Sequence, residues 1–241
     1  MSSTTTTTST TTTENNNNNP LEGLPSPILL GSASFTRKLI LKEMNIPFHI
    51  VVRPIDEKNL GDRTQDPPAH LVMTLGKAKA DHLVQEIQAG RCDDDLPPNT
   101  PKEWIVLTGD QVVTCDGKIL EKPESVDEAK QFVSQYPTHP PSTVGSCVLT
   151  HVPSGIQVAG VDTATVHFKN TFSGDALVDE LLKQGEPILS CAGGLMVEHP
   201  SVKANIERID GTEDSVMGLS KDLVLRLLQE MKQELHKANL L

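Results

Sequence analysis

The sequence predicts an α/β (α+β) domain built on a mixed sheet, and three observations lead there. Near its start, a short apolar run, Ile28-Leu29-Leu30, passes through small residues into Leu39, Ile40 and Met44 at helical spacing. The middle of the chain holds two hairpin patterns, one turning at Asp116-Gly117 and one at Pro153-Ser154-Gly155. Amphipathic helical segments recur before, between and after these, so strands and helices are mixed along the chain.

The elements follow in order. Residues 1–25 open the chain with a Thr-, Ser- and Asn-rich stretch that lacks the apolar side chains needed to offset folding entropy, so they are expected to be a disordered tail. The domain is expected over residues 26–241. After the strand at Ile28, the turn Gly31-Ser32-Ala33-Ser34-Phe35-Thr36-Arg37 leads into a helix closed at Asn45. Free backbone N–H groups at such a turn, with Ser32, Ser34, Arg37 and Lys38 beside them, suit either a bound phosphate or an ordinary capped helix. Phe48 to Val52 reads as a second strand next to the first. Asp56 and Glu57 then leave the sheet, where they fit a Mg²⁺ site or a polar loop. Lys58 to Pro68 reads as a polar connection. A helix is expected from about Ala69 to Ala89, with Lys77 and Lys79 on it and Gly90 closing it, and then an exposed acidic loop from Arg91 to Lys102.

Trp104 to Leu107 is a bulky apolar run that ends at Thr108-Gly109, so Asp110 is delivered where α/β sheets present ligand-binding groups. The Asp116-Gly117 hairpin folds Lys122 back toward Asp110. An acid and a base on one stiff ribbon suit an anionic, metal-bound substrate; they equally fit a plain hairpin with solvated charges. Ser125-Val126-Asp127-Glu128 matches a capping box and starts a short helix toward Gln135. Tyr136 to Ser142 reads as a loop. Thr143 to Val152 and Ile156 to Lys169 read as a long hairpin, on which Asp162, Ala164, Val166 and Phe168 share a face. Asp175 to Gln184 is an amphipathic helix. Cys191-Ala192-Gly193-Gly194 is a glycine turn that lets backbone approach a ligand, with Glu198 just beyond it as either a reader of base-edge donors or a surface acid. Gly211 to Leu219 reads as a loop, and Leu223 to Leu235 as a closing helix.

Composition limits the function. Among 241 residues, 21 Lys and Arg face 32 Asp and Glu, a net charge of -11, which argues against a nucleic-acid polymer or an anionic membrane as partner. The four cysteines form no Cys-x-x-Cys pair, which fits reduced thiols, and no apolar run reaches membrane-spanning length. The opening stretch lacks the apolar core of a signal peptide, so a cytoplasmic location is expected, with a Ser/Thr-rich plastid address left open.

Taken together, LLGSASFTR, an Asp-Glu after the second strand, LGKAKA, TGDQVV, EKP, VDTATVHF, CAGG and VMGL stand in the order and spacing of the Maf family, which the chain resembles from about Pro27 to the last helix. The resemblance implies a Maf/ITPase-like fold with a substrate cleft between two lobes. It also implies hydrolysis of a nucleoside triphosphate to the monophosphate and pyrophosphate with a divalent cation, Mg²⁺ or Mn²⁺, and favours a homodimer. By resemblance, Ser32, Ser34 and Arg37 bind phosphate, and Asp110 is the proton acceptor. Glu57, Lys79 and Lys122 complete the catalytic set, and Glu57 and Asp110 are the metal ligands. Thr36, Gln111 and Glu198 stand at the positions that separate subgroups. Gln111 after Asp110, together with Glu198, resembles the subgroup acting on 7-methyl-GTP, whereas the dTTP/UTP type carries Thr and Gln there. Pyrimidine triphosphates are the alternative substrates, and a non-catalytic, nucleotide-binding regulator of division is the alternative of another class. Phe35, His199 and Ser220 depart from the usual Pro, Gly and Pro of the family.

Overall fold

A computed structural model describes residues 19–96 and 103–241. The expected tail falls mostly outside the described residues, as do the last six positions of the acidic loop. Leu21 and Leu24, within the stretch expected as tail, are buried in the core. Two leucines in a one-turn segment carry no period that a sequence reading could detect.

Strand β1 (Ile28–Leu30) leads to helix α1 (Phe35–Glu43), and β2 (Phe48–Ile50) returns parallel to β1. Helix α2 (Pro68–Gln88) follows, with Pro68 supplying a first position whose missing N–H costs nothing. Strand β3 (Trp104–Thr108) is buried throughout and pairs parallel with β1. The predicted hairpin forms as β4 (Gln111–Cys115) and β5 (Lys118–Leu120), with Asp116 at φ 49° and Gly117 at φ 72°. Two consecutive left-handed residues twist a two-residue turn in the sense of the flanking strands. Helix α3 (Val126–Gln135) starts at Ser125, whose side chain accepts from the Glu128 amide. The long hairpin is β6 (Ser142–Val152) with β7 (Gln157–Phe168), and α4 (Gly174–Lys183) follows.

Beyond α4 the sequence reading was incomplete. Residues 200–216 hold a one-turn helix α5 (Pro200–Lys203), an edge strand β8 (Ile206–Asp210) and another one-turn helix α6 (Glu213–Val216). The closing helix α7 (Lys221–Lys237) buries Leu223, Val224, Leu227, Leu228, Met231 and Leu235 on one face. At roughly 1.5–3 kcal/mol per buried aliphatic side chain, this face stabilises the fold by about 10 kcal/mol before entropy is counted.

Strand β6 organises the mixed sheet. Its second half pairs with β3, from Val148 opposite Thr108 to Val152 opposite Trp104, and its first half pairs with β4, from Ser142 opposite Thr114 to Gly145 opposite Gln111. Strand β7 pairs along its other edge and carries β8. One lobe is therefore the parallel set β2-β1-β3 with α1 and α7, and the other is the β4-β5 ribbon with α3 and α4. Each has its own apolar cluster: Leu30, Leu41, Leu107 and Leu228 belong to the first, and Tyr136, Phe168, Phe172 and Leu181 to the second. The chain crosses between the lobes at Gly109-Asp110, opposite Ser146.

Candidate active site

A cleft of about 1090 Å³ lies between the lobes and is lined by residues from both, among them Ser34, Glu57, Lys79, Asp110, Lys122 and Glu198. Asp110 sits where β3 ends and β4 begins. Its backbone N–H donates to Ser146 Oγ at 3.0 Å, and its carbonyl accepts from the Ser146 amide at 2.8 Å. Ser146 Oγ in turn donates to the Val72 carbonyl of α2 at 2.7 Å. Gly109 allows this crossing, because a Cβ there would overlap the Ser146 carbonyl.

The carboxylate of Asp110 accepts from Lys79 Nζ at 2.7 Å, and the same ammonium lies 3.1 Å from Glu57 Oε1. Lys79 and Asp110 are mostly buried, while Glu57 is half exposed. One lysine from α2 thus joins two carboxylates from different segments. Asp110 Oδ2 is left over from this pairing and is available to a proton or a cation. Lys122, just past β5, lines the cleft and makes no ion pair among the described residues. The hairpin does bring it to the same cleft as Asp110.

The turn expected to bind phosphate is built from its own side chains. Ser34 caps α1 by accepting from the Arg37 amide at 3.4 Å, and its Oγ lies 2.9 Å from Thr36 Oγ1. Ser32 Oγ accepts from the Ser34 amide at 3.3 Å. Ser32, Ser34 and Thr36 reach the cleft. Arg37 also lines the cleft, and most of its donors are taken up by protein. It is buried, and its guanidinium donates to the carbonyls of Gly109 and Gly218, to Ser32 Oγ and to Gln111 Oε1. Burial holds its pKa below the ordinary value, with Asp110 opposing that shift.

The Cys191–Glu198 turn also lines the cleft. Gly193 has φ 71°, and a Cβ there would meet Tyr136 Oη at 2.8 Å and Val113 Cγ1 at 2.9 Å, so only glycine fits. Tyr136 Oη donates to the Gly193 carbonyl at 2.5 Å, and the Gly193 amide donates to the Glu121 carbonyl at 3.1 Å. The turn bearing Glu198 is thereby tied to the hairpin bearing Lys122. Burial pushes the Cys191 thiol up to about 11; the Glu198 charge adds to this and Lys122 opposes it.

Three residues at this site escaped the sequence reading. Arg63 lines the cleft and donates to the carbonyls of Leu60 at 2.5 Å and Glu57 at 2.9 Å, and it pairs with Glu121 at 3.3 Å. It fastens the Glu57 segment to the hairpin, yet an isolated Arg in a polar connection gives no signal. Tyr136, the single tyrosine of the chain, was read as loop although it is buried at the base of the glycine turn. Ser146 is a small polar residue in a strand and has no pattern of its own. Asp162 received the structural role that an acid among apolar neighbours calls for: Ser215 Oγ donates to it.

The family model described as "Maf-like protein" matches residues 27–231. The chain is 34% identical over 207 residues to the "7-methyl-GTP pyrophosphatase" of Dictyostelium discoideum, covering 86% of this chain and 98% of that protein. It is 30% identical over 223 residues to the "dTTP/UTP pyrophosphatase" of Salinibacter ruber, covering 91% and 98%. A "Nucleoside triphosphate pyrophosphatase" of a Synechococcus strain is 28% identical over 213 residues, covering 88% and 98%. With a mixed sheet of eight strands among the described residues, a cleft between two lobes and a family match along most of its length, this chain belongs to the Maf family.

Proposed function

We propose that this protein hydrolyses a nucleoside triphosphate to the monophosphate and pyrophosphate, and that its substrate is 7-methyl-GTP or a similarly modified guanine nucleotide. The observation that carries the reading is the Asp110–Lys79–Glu57 chain of contacts on one wall of a cleft large enough for a nucleotide. Lys79 and Lys122 neutralise phosphate, and the Ser32–Ser34 turn offers hydroxyl and amide donors to it. Asp110, fixed by Ser146 at its backbone and by Lys79 at Oδ1, accepts the proton of the attacking water through Oδ2. The water oxygen bonds to phosphorus as the α–β anhydride bond breaks, and pyrophosphate leaves.

The donor set suits a hard divalent cation. Asp110 and Glu57 offer oxygen only, and the described residues hold no cluster of three ligating side chains, so the phosphates would complete the shell, as Mg²⁺ prefers. Such an ion would neutralise charge developing on the phosphate oxygens. Base choice rests on Glu198, whose carboxylate accepts from guanine N1–H and N2–H₂ and attracts the positive charge that N7-methylation places on the base. Among the described residues no helix is long and apolar enough to cross a membrane.

The test is pyrophosphate release with Mg²⁺ from 7-methyl-GTP, GTP, dTTP, UTP and CTP by wild type and Asp110→Asn. Selective turnover of 7-methyl-GTP, reduced about 10²–10⁴-fold in the variant, is expected of a lost general base. Preferred turnover of dTTP or UTP would leave the reaction in place and overturn the reading of Glu198. Unchanged turnover in the variant would remove Asp110 from the chemistry.

A further inference from the structure

Arg37 carries five N–H donors and no acceptor. Its Nε donates to the Gly218 carbonyl at 3.2 Å, and Nη1 to the Gly109 carbonyl at 2.8 Å and to Ser32 Oγ at 3.2 Å. Nη2 donates to Gln111 Oε1 at 3.3 Å. Four of the five donors are thus committed to protein, in a side chain only 6% exposed. This is the bonding of a strut between three loops, and it leaves a single N–H for any phosphate.

The consequence falls on Gln111. A guanidinium cannot accept a hydrogen bond, so the end of the Gln111 amide that meets it must be the oxygen. The amide also lies against the bare backbone of Gly218, at φ 99°, where any Cβ would overlap it. It is held on two sides. Its Nε2 has no acceptor among the described residues, and no unpartnered side-chain nitrogen or oxygen is buried among them, so these N–H groups are accessible; Gln111 lines the cleft.

We propose that Arg37 is a positioning residue for base selection: it locks the Gln111 amide so that this side chain offers the cleft hydrogen-bond donors only. The proposal rests on the reading of the cleft as a guanine-nucleotide site and sharpens it. Glu198, as a carboxylate, offers acceptors only. A donor-only group and an acceptor-only group in one cleft match an edge on which an acceptor adjoins donors, as guanine O6 adjoins N1–H and N2–H₂. Adenine sets its amino group against the locked donors, and uracil sets its second carbonyl against the carboxylate.

The test compares 7-methyl-GTP with its 6-thio analogue, which keeps N1–H and N2–H₂ and puts a weakly accepting sulfur in place of O6, on wild type, Gln111→Glu and Arg37→Lys. Folding is checked by thermal unfolding. In wild type the oxo substrate should have the higher kcat/KM by about tenfold, the difference between a well-made hydrogen bond and a weak one. In Gln111→Glu the carboxylate still receives Arg37 but has no donor, and the ratio should fall to about one. In Arg37→Lys the amide is freed, and the ratio should fall toward one as well. If Arg37 serves phosphate, its substitution lowers kcat/KM equally for both substrates, and an unchanged ratio overturns the proposal. Calorimetric binding of the two corresponding monophosphates separates this from the catalytic reading. Selective binding without turnover would remove the pyrophosphatase activity and keep the lock. Turnover with equal binding in all three proteins would keep the activity and remove the lock.

Discussion

The placement of Asp110 depends on one serine. Ser146 binds the Asp110 peptide from both sides and hands its own hydroxyl proton to Val72, so a strand, a helix and the acid are joined through a single side chain. Ser146→Ala removes the acceptor of the Asp110 amide and the donor of the Val72 carbonyl. The Val72 carbonyl keeps its helical partner in α2, so the cost is that of an unpaired Asp110 amide, about 1–3 kcal/mol in a buried setting. The expected outcome is a lower unfolding midpoint and a kcat reduced about tenfold, with KM changed little, since no phosphate or base contact is lost. Steady-state kinetics alongside thermal unfolding checks it; an unaltered kcat would mean that strand pairing alone aims the acid. The position of Asp110 in the cleft was legible in the sequence, because an Asp ending an apolar strand marks a sheet's ligand-binding edge. Its support was not, since Ser146 is remote in sequence and meets Asp110 only through the β6 register. Arg37 makes the same point from the other direction. Its basic charge beside a glycine-serine turn suggested phosphate, and only its burial among carbonyls shows where its donors go.

At the level of elements, strong patterns gave correct assignments. The apolar run of β3, the 3.6-residue period of α2 and α7, and the Asp-Gly turn each act through physics local to a short stretch. Strand β8 has no such signature: Ile206-Glu207-Arg208-Ile209-Asp210 lacks a two-residue alternation, and it forms because β7 offers an edge. Helices α5 and α6 are too short for a period. The Asp-Gly turn permits a sharp test. Gly117 sits at φ 72° with open space where a Cβ would project, so Gly117→Ala meets a purely conformational penalty. About 1–2 kcal/mol is expected for an L-residue in the left-handed region, and for a domain of this size each kcal/mol lowers the midpoint by about 2–4 °C. Because Lys122 stands on the outgoing end of this ribbon, a looser turn should also raise KM modestly. A stability loss with no change in KM would show that Lys122 is positioned by the Glu121–Gly193 contact and not by the turn.

The whole molecule carries an alkaline limit that follows from where its thiols and its tyrosine lie. Cys147 is fully buried, and burial pushes its thiol up to about 12, with Arg37 and Arg226 opposing the shift. The Cys191 thiol is raised to about 11, and burial also raises the Tyr136 hydroxyl. An unfolded cysteine titrates near 8.5. Between that pH and the folded values the native protein binds more protons than the unfolded chain, so the slope of stability with pH is negative. These groups contribute fully below about pH 8.5, and their contribution is lost as pH rises toward 11 and 12. The net charge of -11 adds self-repulsion as further groups ionise. Thermal midpoints from pH 7 to pH 11 should therefore be level to about pH 8.5 and then fall by several degrees. Cys147→Ala should be less stable at neutral pH because it leaves a cavity, yet its midpoint should fall less steeply above pH 9 because the buried proton is gone. Parallel curves for variant and wild type would show that the alkaline loss comes from general charge repulsion. The raised thiols also imply slow alkylation of native protein at pH 7.5, because only the thiolate reacts. Cys191 is the cysteine that lines the cleft, so pyrophosphate release that persists in Cys191→Ser would show that no thiol takes part in the chemistry and that the catalytic work rests on the oxygen and nitrogen groups of the cleft.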